Sequence, residues 1–161
     1  TDSANSGYKV QRGEQLTRGI ETELSTEILK GLKLTAAYTY TIDAEISKDA
    51  NSSNVGKALD NIPEHAYSLS ARYKFDPASK LGWYVGGGFR GETYKTMDKL
   101  DVHIPGYTVF DTEAGYDAGH WGAQLAIRNL FDKDYYAGAL NENLVTLGNP
   151  RQINFTVKFN Y

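Results

Sequence analysis

The last ten residues read Gln152-Ile153-Asn154-Phe155-Thr156-Val157-Lys158-Phe159-Asn160-Tyr161. Ile153, Phe155, Val157, Phe159 and Tyr161 alternate with Gln152, Asn154, Thr156, Lys158 and Asn160. A period of two puts the first set on one face of a strand and the second on the other. A bare row of five large apolar residues with no chain left to cover it suits a strand that faces lipid.

The same alternation recurs upstream. Leu32, Leu34, Ala36, Tyr38, Tyr40 and Ile42 oppose Lys33, Thr35, Ala37, Thr39 and Thr41. Tyr67, Leu69, Ala71, Tyr73 and Phe75 oppose Ser68, Ser70, Arg72 and Lys74. Trp83 to Phe89, Phe110 to Tyr116 and Trp121 to Ile127 repeat the pattern, and Ile20 to Ile28 precedes them. With the closing strand this predicts about seven strands, each near the roughly 9–11 residues that cross a bilayer at a tilt. The predicted fold class is all-β, an antiparallel transmembrane β-barrel segment.

Composition agrees with strands. Among 161 residues there are 12 Tyr, 6 Phe, 2 Trp and 16 Gly, against a single Met. A mean hydropathy of -0.50 does not oppose a membrane barrel, because its polar lumen residues dilute the apolar face. The net charge of -3 excludes a strongly basic nucleic-acid surface. Without Cys there is no disulfide framework, thiol chemistry or cysteine metal site. No signal peptide opens the chain and Thr1 is not a natural start, so a mature or excised piece is expected.

The connections alternate in length. Leu29 to Gly31, Asp76 to Leu81 and Asp117 to His120 are tight, whereas Asp43 to Glu64, Thr93 to Gly106 and Asp132 to Arg151 are long and polar. Short turns on one rim and long loops on the other are the outer-membrane arrangement. In antiparallel order Tyr73, Phe75, Trp83, Tyr116 and Trp121 fall on the short-turn rim, a predicted aromatic girdle. Seven strands cannot close alone, and open edges in lipid cost several kcal/mol per unpaired group. A segment of a larger barrel is therefore expected. The alternative is a small closed outer-membrane barrel with a structural or adhesive role, its eighth strand within Tyr8 to Leu16.

Several stretches together resemble the C-terminal barrel portion of TonB-dependent outer-membrane ferric-siderophore receptors. The most specific are Arg128-Asn129-Leu130-Phe131-Asp132-Lys133-Asp134-Tyr135-Tyr136 and Gly148-Asn149-Pro150-Arg151 before the last strand. Asn61-Ile62-Pro63-Glu64-His65, Gly86-Gly87-Gly88-Phe89-Arg90, Ile104-Pro105-Gly106-Tyr107 and Gly13-Glu14-Gln15-Leu16 support them. The resemblance implies that residues 1–161 are the last third or so of a barrel of about 22 strands. It also implies a plug domain and a TonB box, neither present here, and TonB–ExbB–ExbD coupling through that missing N-terminal part. The transported ligand would be a ferric siderophore, with no covalently bound cofactor. The implied location is the bacterial outer membrane, with its lipid, the rest of the barrel and the barrel-assembly machinery as partners. Phe159 and Tyr161 would be the assembly signal, since a regular strand edge can be templated by another sheet.

Other motifs read as structure. Gly86 to Gly91 matches G-x-G-x-x-G but lies in a predicted strand, where a dinucleotide site needs a helix start. His65 and His103 belong to the long-loop side and His120 to the opposite rim, so one metal site cannot use all three. Asp111 and Glu113 share a lumen face with Arg72, Arg90, Arg128 and Lys158, which favours ion pairs over acid–base catalysis. No catalytic residue is assigned. Tyr94, Lys95, Tyr107, Tyr135, Tyr136 and Arg151 could meet an anionic chelate, and Arg90 and Tyr94 are the contacts selected.

Overall fold

The computed structural model describes residues 13–79, 81–97, 102–141 and 143–160. Tyr161 and most of the stretch considered for an eighth strand lie outside the described residues. In chain order the strands are β1 (Glu14–Leu29), β2 (Leu32–Lys48), β3 (His65–Lys74), β4 (Gly82–Glu92), β5 (Lys95–Met97) and β6 (Val102–Ile104). They continue with β7 (Tyr107–Asp117), β8 (Trp121–Arg128), β9 (Tyr136–Asn141), β10 (Leu144–Leu147) and β11 (Gln152–Phe159). A single 3-10 turn, Ser52–Asn54, is the only helical element among the described residues.

Seven strands form one sheet in the order β1-β2-β3-β4-β7-β8-β11, and every pairing in it is antiparallel. These are the seven strands that alternation predicts. Among the described residues β1 and β11 stand at opposite ends of the sheet and do not pair with each other.

The pairing carries each predicted face unbroken across the sheet. Leu24, Ala36, Leu69, Phe89 and Phe110 lie side by side on five successive strands. Leu125 and Phe155 continue the same face on β8 and β11. It is bare: Ile20, Leu24, Trp83, Phe155 and Phe159 are each at least half exposed. A sheet whose apolar side has no protein layer over it needs hydrocarbon as solvent.

Two expectations change. β2 runs on to Lys48 rather than ending near Ile42, because β1 stays paired with it, through a bulge at Arg18/Gly19, and the ion pairs Arg18–Asp43 and Lys48–Glu14 tie the extension. The second and third long loops are not irregular: each contains a two-stranded ribbon, β5-β6 and β9-β10. Their strands have only three to six residues, too short to produce a legible alternation.

The tight turns have local causes. Gly31 sits at φ 87, a left-handed conformation that glycine adopts at no steric cost. Its N–H donates to Glu27 at 2.6 Å. At the same rim Asn160 Nδ2 donates to the Gly119 carbonyl at 2.9 Å, anchoring the end of the last strand to the β7–β8 turn.

Candidate functional site

The inner face of the sheet is a concavity of about 440 Å³ whose chemistry is set by single rows of paired residues. One row runs Lys33, Arg72, Gly86, Glu113, Ala126 across β2, β3, β4, β7 and β8. Gly86 stands between a guanidinium and a carboxylate. A Cβ there would lie 3.0 Å from Glu113 Oε1 and 3.1 Å from Glu113 Cγ. Glu113 thus lies across β4 and reaches Arg72, whose Nε and Nη2 both approach Oε1 at 2.7 Å. Gln124 Nε2 donates to the other oxygen of Glu113 at 2.5 Å.

The next row runs Thr35, Ser70, Gly88, Asp111. Asp111 is shared: Arg90 and Arg128 Nη1 both donate to Oδ2, Arg128 at 3.2 Å. The backbone N–H of Asn129 donates to Oδ1 at 2.9 Å. Below these rows Tyr84 lies over Gly115, where a Cβ would meet the ring at 2.3 Å. The Arg72 guanidinium sits 4.3 Å above the Tyr84 ring, a cation–π contact. The glycines of β4 and β7 therefore clear paths for long side chains. That role was readable only as a period-two series, Tyr84, Gly86, Gly88, Arg90, and its purpose needed the partners. Gly86 to Gly91 lies inside β4, as the sequence predicts.

The three long loops meet above the sheet. Asn61 makes a fork: Nδ2 donates to the Ala139 carbonyl at 2.8 Å, and Oδ1 accepts from the Ala139 N–H at 2.9 Å. Its own N–H donates to the Thr96 carbonyl. Met97, Ile104 and Ala139 form a small buried cluster between the ribbons. Asn129 is 2% exposed. Its Nδ2 donates to the Lys133 and Asn149 carbonyls at 2.9 and 3.1 Å, and its Oδ1 accepts from the Lys133 N–H at 2.9 Å. The sequence singled out the stretch containing Asn129, and Asn61 within another, but not these two amides as the clamps.

The ligand-contact candidates separate. Arg90 is in the inner concavity and paired to Asp111. Tyr94 lines a different hollow, of about 210 Å³, with Thr41, Ile42, Leu59 and Pro63, and is 58% exposed. The two do not converge. Lys95 requires correction as a surface cation: its side chain is 4% exposed and donates to Glu92 and, at 2.6 Å, to the Ala137 carbonyl. Burial of a charge demands such partners. The Tyr107 and Tyr135 rings meet at a tilt with their centroids 4.1 Å apart, and Arg151 faces Asp132 at 3.7 Å.

His65 lies on the exposed-face side, stacked 5.0 Å from Tyr40, with its Nδ1 2.9 Å from the Tyr38 hydroxyl. Trp83, Tyr116 and Trp121 form a chain of ring contacts at 5.0 and 5.9 Å, and Tyr73 meets Phe75 at 5.3 Å. All five rings sit at the short-turn end of the apolar face. Phe159 is 65% exposed on the outermost strand.

Residues 1–130 match a family model described as TonB dependent receptor-like, beta-barrel. Over 99% of its length the chain is 32% identical to a metal–pseudopaline receptor of Pseudomonas aeruginosa, covering 23% of that protein. It is 31% identical, again over 99%, to a ferrichrome outer membrane transporter/phage receptor of Escherichia coli, covering 22%. The chain thus spans less than a quarter of the length of these curated relatives. The crystal structure of a siderophore receptor from Acinetobacter baumannii superposes with TM-score 0.77 at 28% identity, over 92% of this chain and 22% of that one. A ferripyoverdine receptor of Pseudomonas aeruginosa superposes with TM-score 0.73 at 26% identity, over 99% and 21%.

Proposed function

Because the chain belongs to the TonB-dependent receptor β-barrel family, we propose that it is the C-terminal sector of an outer-membrane receptor that imports ferric siderophores. The observation that carries this reading is a seven-stranded antiparallel sheet, apolar and bare on one side, charged on the other and, among the described residues, open at both edges. Unpaired N–H and C=O rows along β1 and β11 are untenable in hydrocarbon. Further strands of the same barrel are the partners that satisfy them, and a plug domain is the body that the charged inner face would enclose.

In this reading Trp83, Trp121, Tyr73, Phe75 and Tyr116 belong to the headgroup layer next to the short turns. The Trp and Tyr rings combine an apolar body with a polar N–H or O–H, and Phe75 packs against Tyr73 beside them. Phe159 and Tyr161 serve barrel assembly, and Arg90 and Tyr94 contact the ligand from the pore wall and the loop region. Relatives named for ferrichrome, ferrioxamine B and metal–pseudopaline support a chelated metal as cargo. Energy would come from TonB–ExbB–ExbD, acting on a TonB box and plug outside this chain. The chain acts as a transport receptor, and no step of its work is enzymatic.

The test is radioiron uptake by cells whose only siderophore receptor is the full-length protein containing this segment. Uptake that requires both the chelate and TonB supports the reading. Recovery of the full-length protein as a detergent-free soluble monomer, or uptake indifferent to TonB, overturns it.

A further inference from the structure

We propose that Asn61 latches the three long loops into one body, which opens as a unit rather than loop by loop. This goes beyond the function proposed above and does not depend on the cargo. An Asn side chain carries both an acceptor and a donor. Asn61 offers the two to a single residue of β9: Oδ1 accepts from the Ala139 N–H at 2.9 Å, and Nδ2 donates to the Ala139 carbonyl at 2.8 Å. That is the two-bond exchange of an antiparallel residue pair. Asn61 thus stands in for a neighbouring strand along the edge of β9 that β10 leaves open. Its own N–H donates to the Thr96 carbonyl of β5 at 3.2 Å. One residue of the first long loop therefore holds a strand of each of the other two.

The surroundings of Asn61 suit this task. It sits at φ 64, a left-handed conformation that Asn adopts more readily than most residues. A Cβ on Gly138 would lie 3.2 Å from Asn61 Oδ1, so the glycine leaves room for the amide alongside β9. The latch is seated on the barrel wall. The Leu59 N–H donates to the Ala44 carbonyl at 2.8 Å, and the Ile46 N–H to the Lys57 carbonyl at 3.0 Å, both on the extension of β2. Two further contacts act in the same sense between the ribbons. Lys95 of β5 donates to the Ala137 carbonyl of β9 at 2.6 Å, and Ala139 is buried against Met97 and Ile104. Loops that move together keep these contacts, whereas a loop that moves alone leaves backbone groups unpaired and apolar side chains bare. Anything that holds one loop in place therefore orders all three.

The experiment is hydrogen exchange of the full-length receptor, read by mass spectrometry at alkaline pH, where each opening event exchanges a whole segment. In the wild type, segments 56–62, 94–97 and 136–141 should exchange at one common rate. Asn61→Gly removes the amide and keeps the left-handed backbone accessible. There the rates should separate, with 136–141 exchanging about thirtyfold faster for the loss of both bonds to Ala139. Ile46 is 5% exposed beside Leu59 and Ile62, under the first loop. Ile46→Ala loosens the seat without touching the latch, so it should speed all three segments by the same factor. Three unequal rates in the wild type overturn the proposal. So do rates that stay together in Asn61→Gly, or an acceleration of 56–62 alone in Ile46→Ala. The wild-type and Ile46→Ala arms decide the matter even if Asn61→Gly fails to fold. None of these outcomes bears on the cargo, which radioiron uptake tests separately.

Discussion

Replacing Asn129 by Ala tests whether one side chain holds the last long loop to the rim of the sheet. Asn129 makes three hydrogen bonds through its amide, two to carbonyls and one from the Lys133 N–H, in a site that is 2% exposed. Each lost bond in such a place costs about 1 kcal/mol or more, since the partner remains desolvated. The backbone adds to this. Asn129 sits at φ 50, where Asn is tolerated and Ala pays roughly 1–2 kcal/mol. The sum is about 4–5 kcal/mol. If opening is local, amide protection at Lys133 and Gly148 should fall roughly a thousandfold in hydrogen exchange of the full-length receptor.

Asn129→Gly separates the two contributions. It loses the same hydrogen bonds but relieves the backbone cost, so protection should fall only about a hundredfold. Equal exchange in Ala and Gly variants would refute the left-handed contribution. Protection within about threefold of wild type in both would refute the clamp altogether.

Phe155→Arg puts a charge on the bare apolar face and should cost about 2–4 kcal/mol if Phe155 lies near the bilayer midplane. Asn154→Arg, on the inner face beside Ala126, should be tolerated, and urea titration of the refolded receptor in lipid vesicles compares them. Gly88→Ala would set a Cβ 2.3 Å from the Leu69 carbonyl oxygen and 2.8 Å from Ser70 Cα. Backbone cannot yield cheaply at that distance, so the heat-modifiable folded band on gels should fall sharply. Lys95→Met leaves Glu92 unpaired under the loops and should cost about 3 kcal/mol, seen as faster protease cleavage between residues 93 and 106. Adding Glu92→Gln to Lys95→Met should recover most of the resistance, and no recovery would argue against the buried pair.

Alternation and loop length, both local properties, were enough to determine from the sequence which residues form seven strands, which face each presents and which rim each turn occupies. Period two leaves no freedom in facing once a strand is granted, and the pairing of Leu69 with Phe89 and of Leu125 with Phe155 follows it. The opposition of Asp111 and Glu113 to Arg72, Arg90 and Arg128 was legible for the same reason. Which carboxylate meets which arginine was not, because it depends on the register of three strands and on the empty space at Gly86 and Gly88. Nor could alternation reveal the ribbons β5-β6 and β9-β10, or that Asn61 and Ala139, far apart in the chain, share two hydrogen bonds. Lys95 read as a loop cation and is buried, since the ribbons close over it only after the loops have met. Tertiary structure alone decided these contacts because their partners come from separate hairpins, brought together by pairings that leave no periodic mark on either segment.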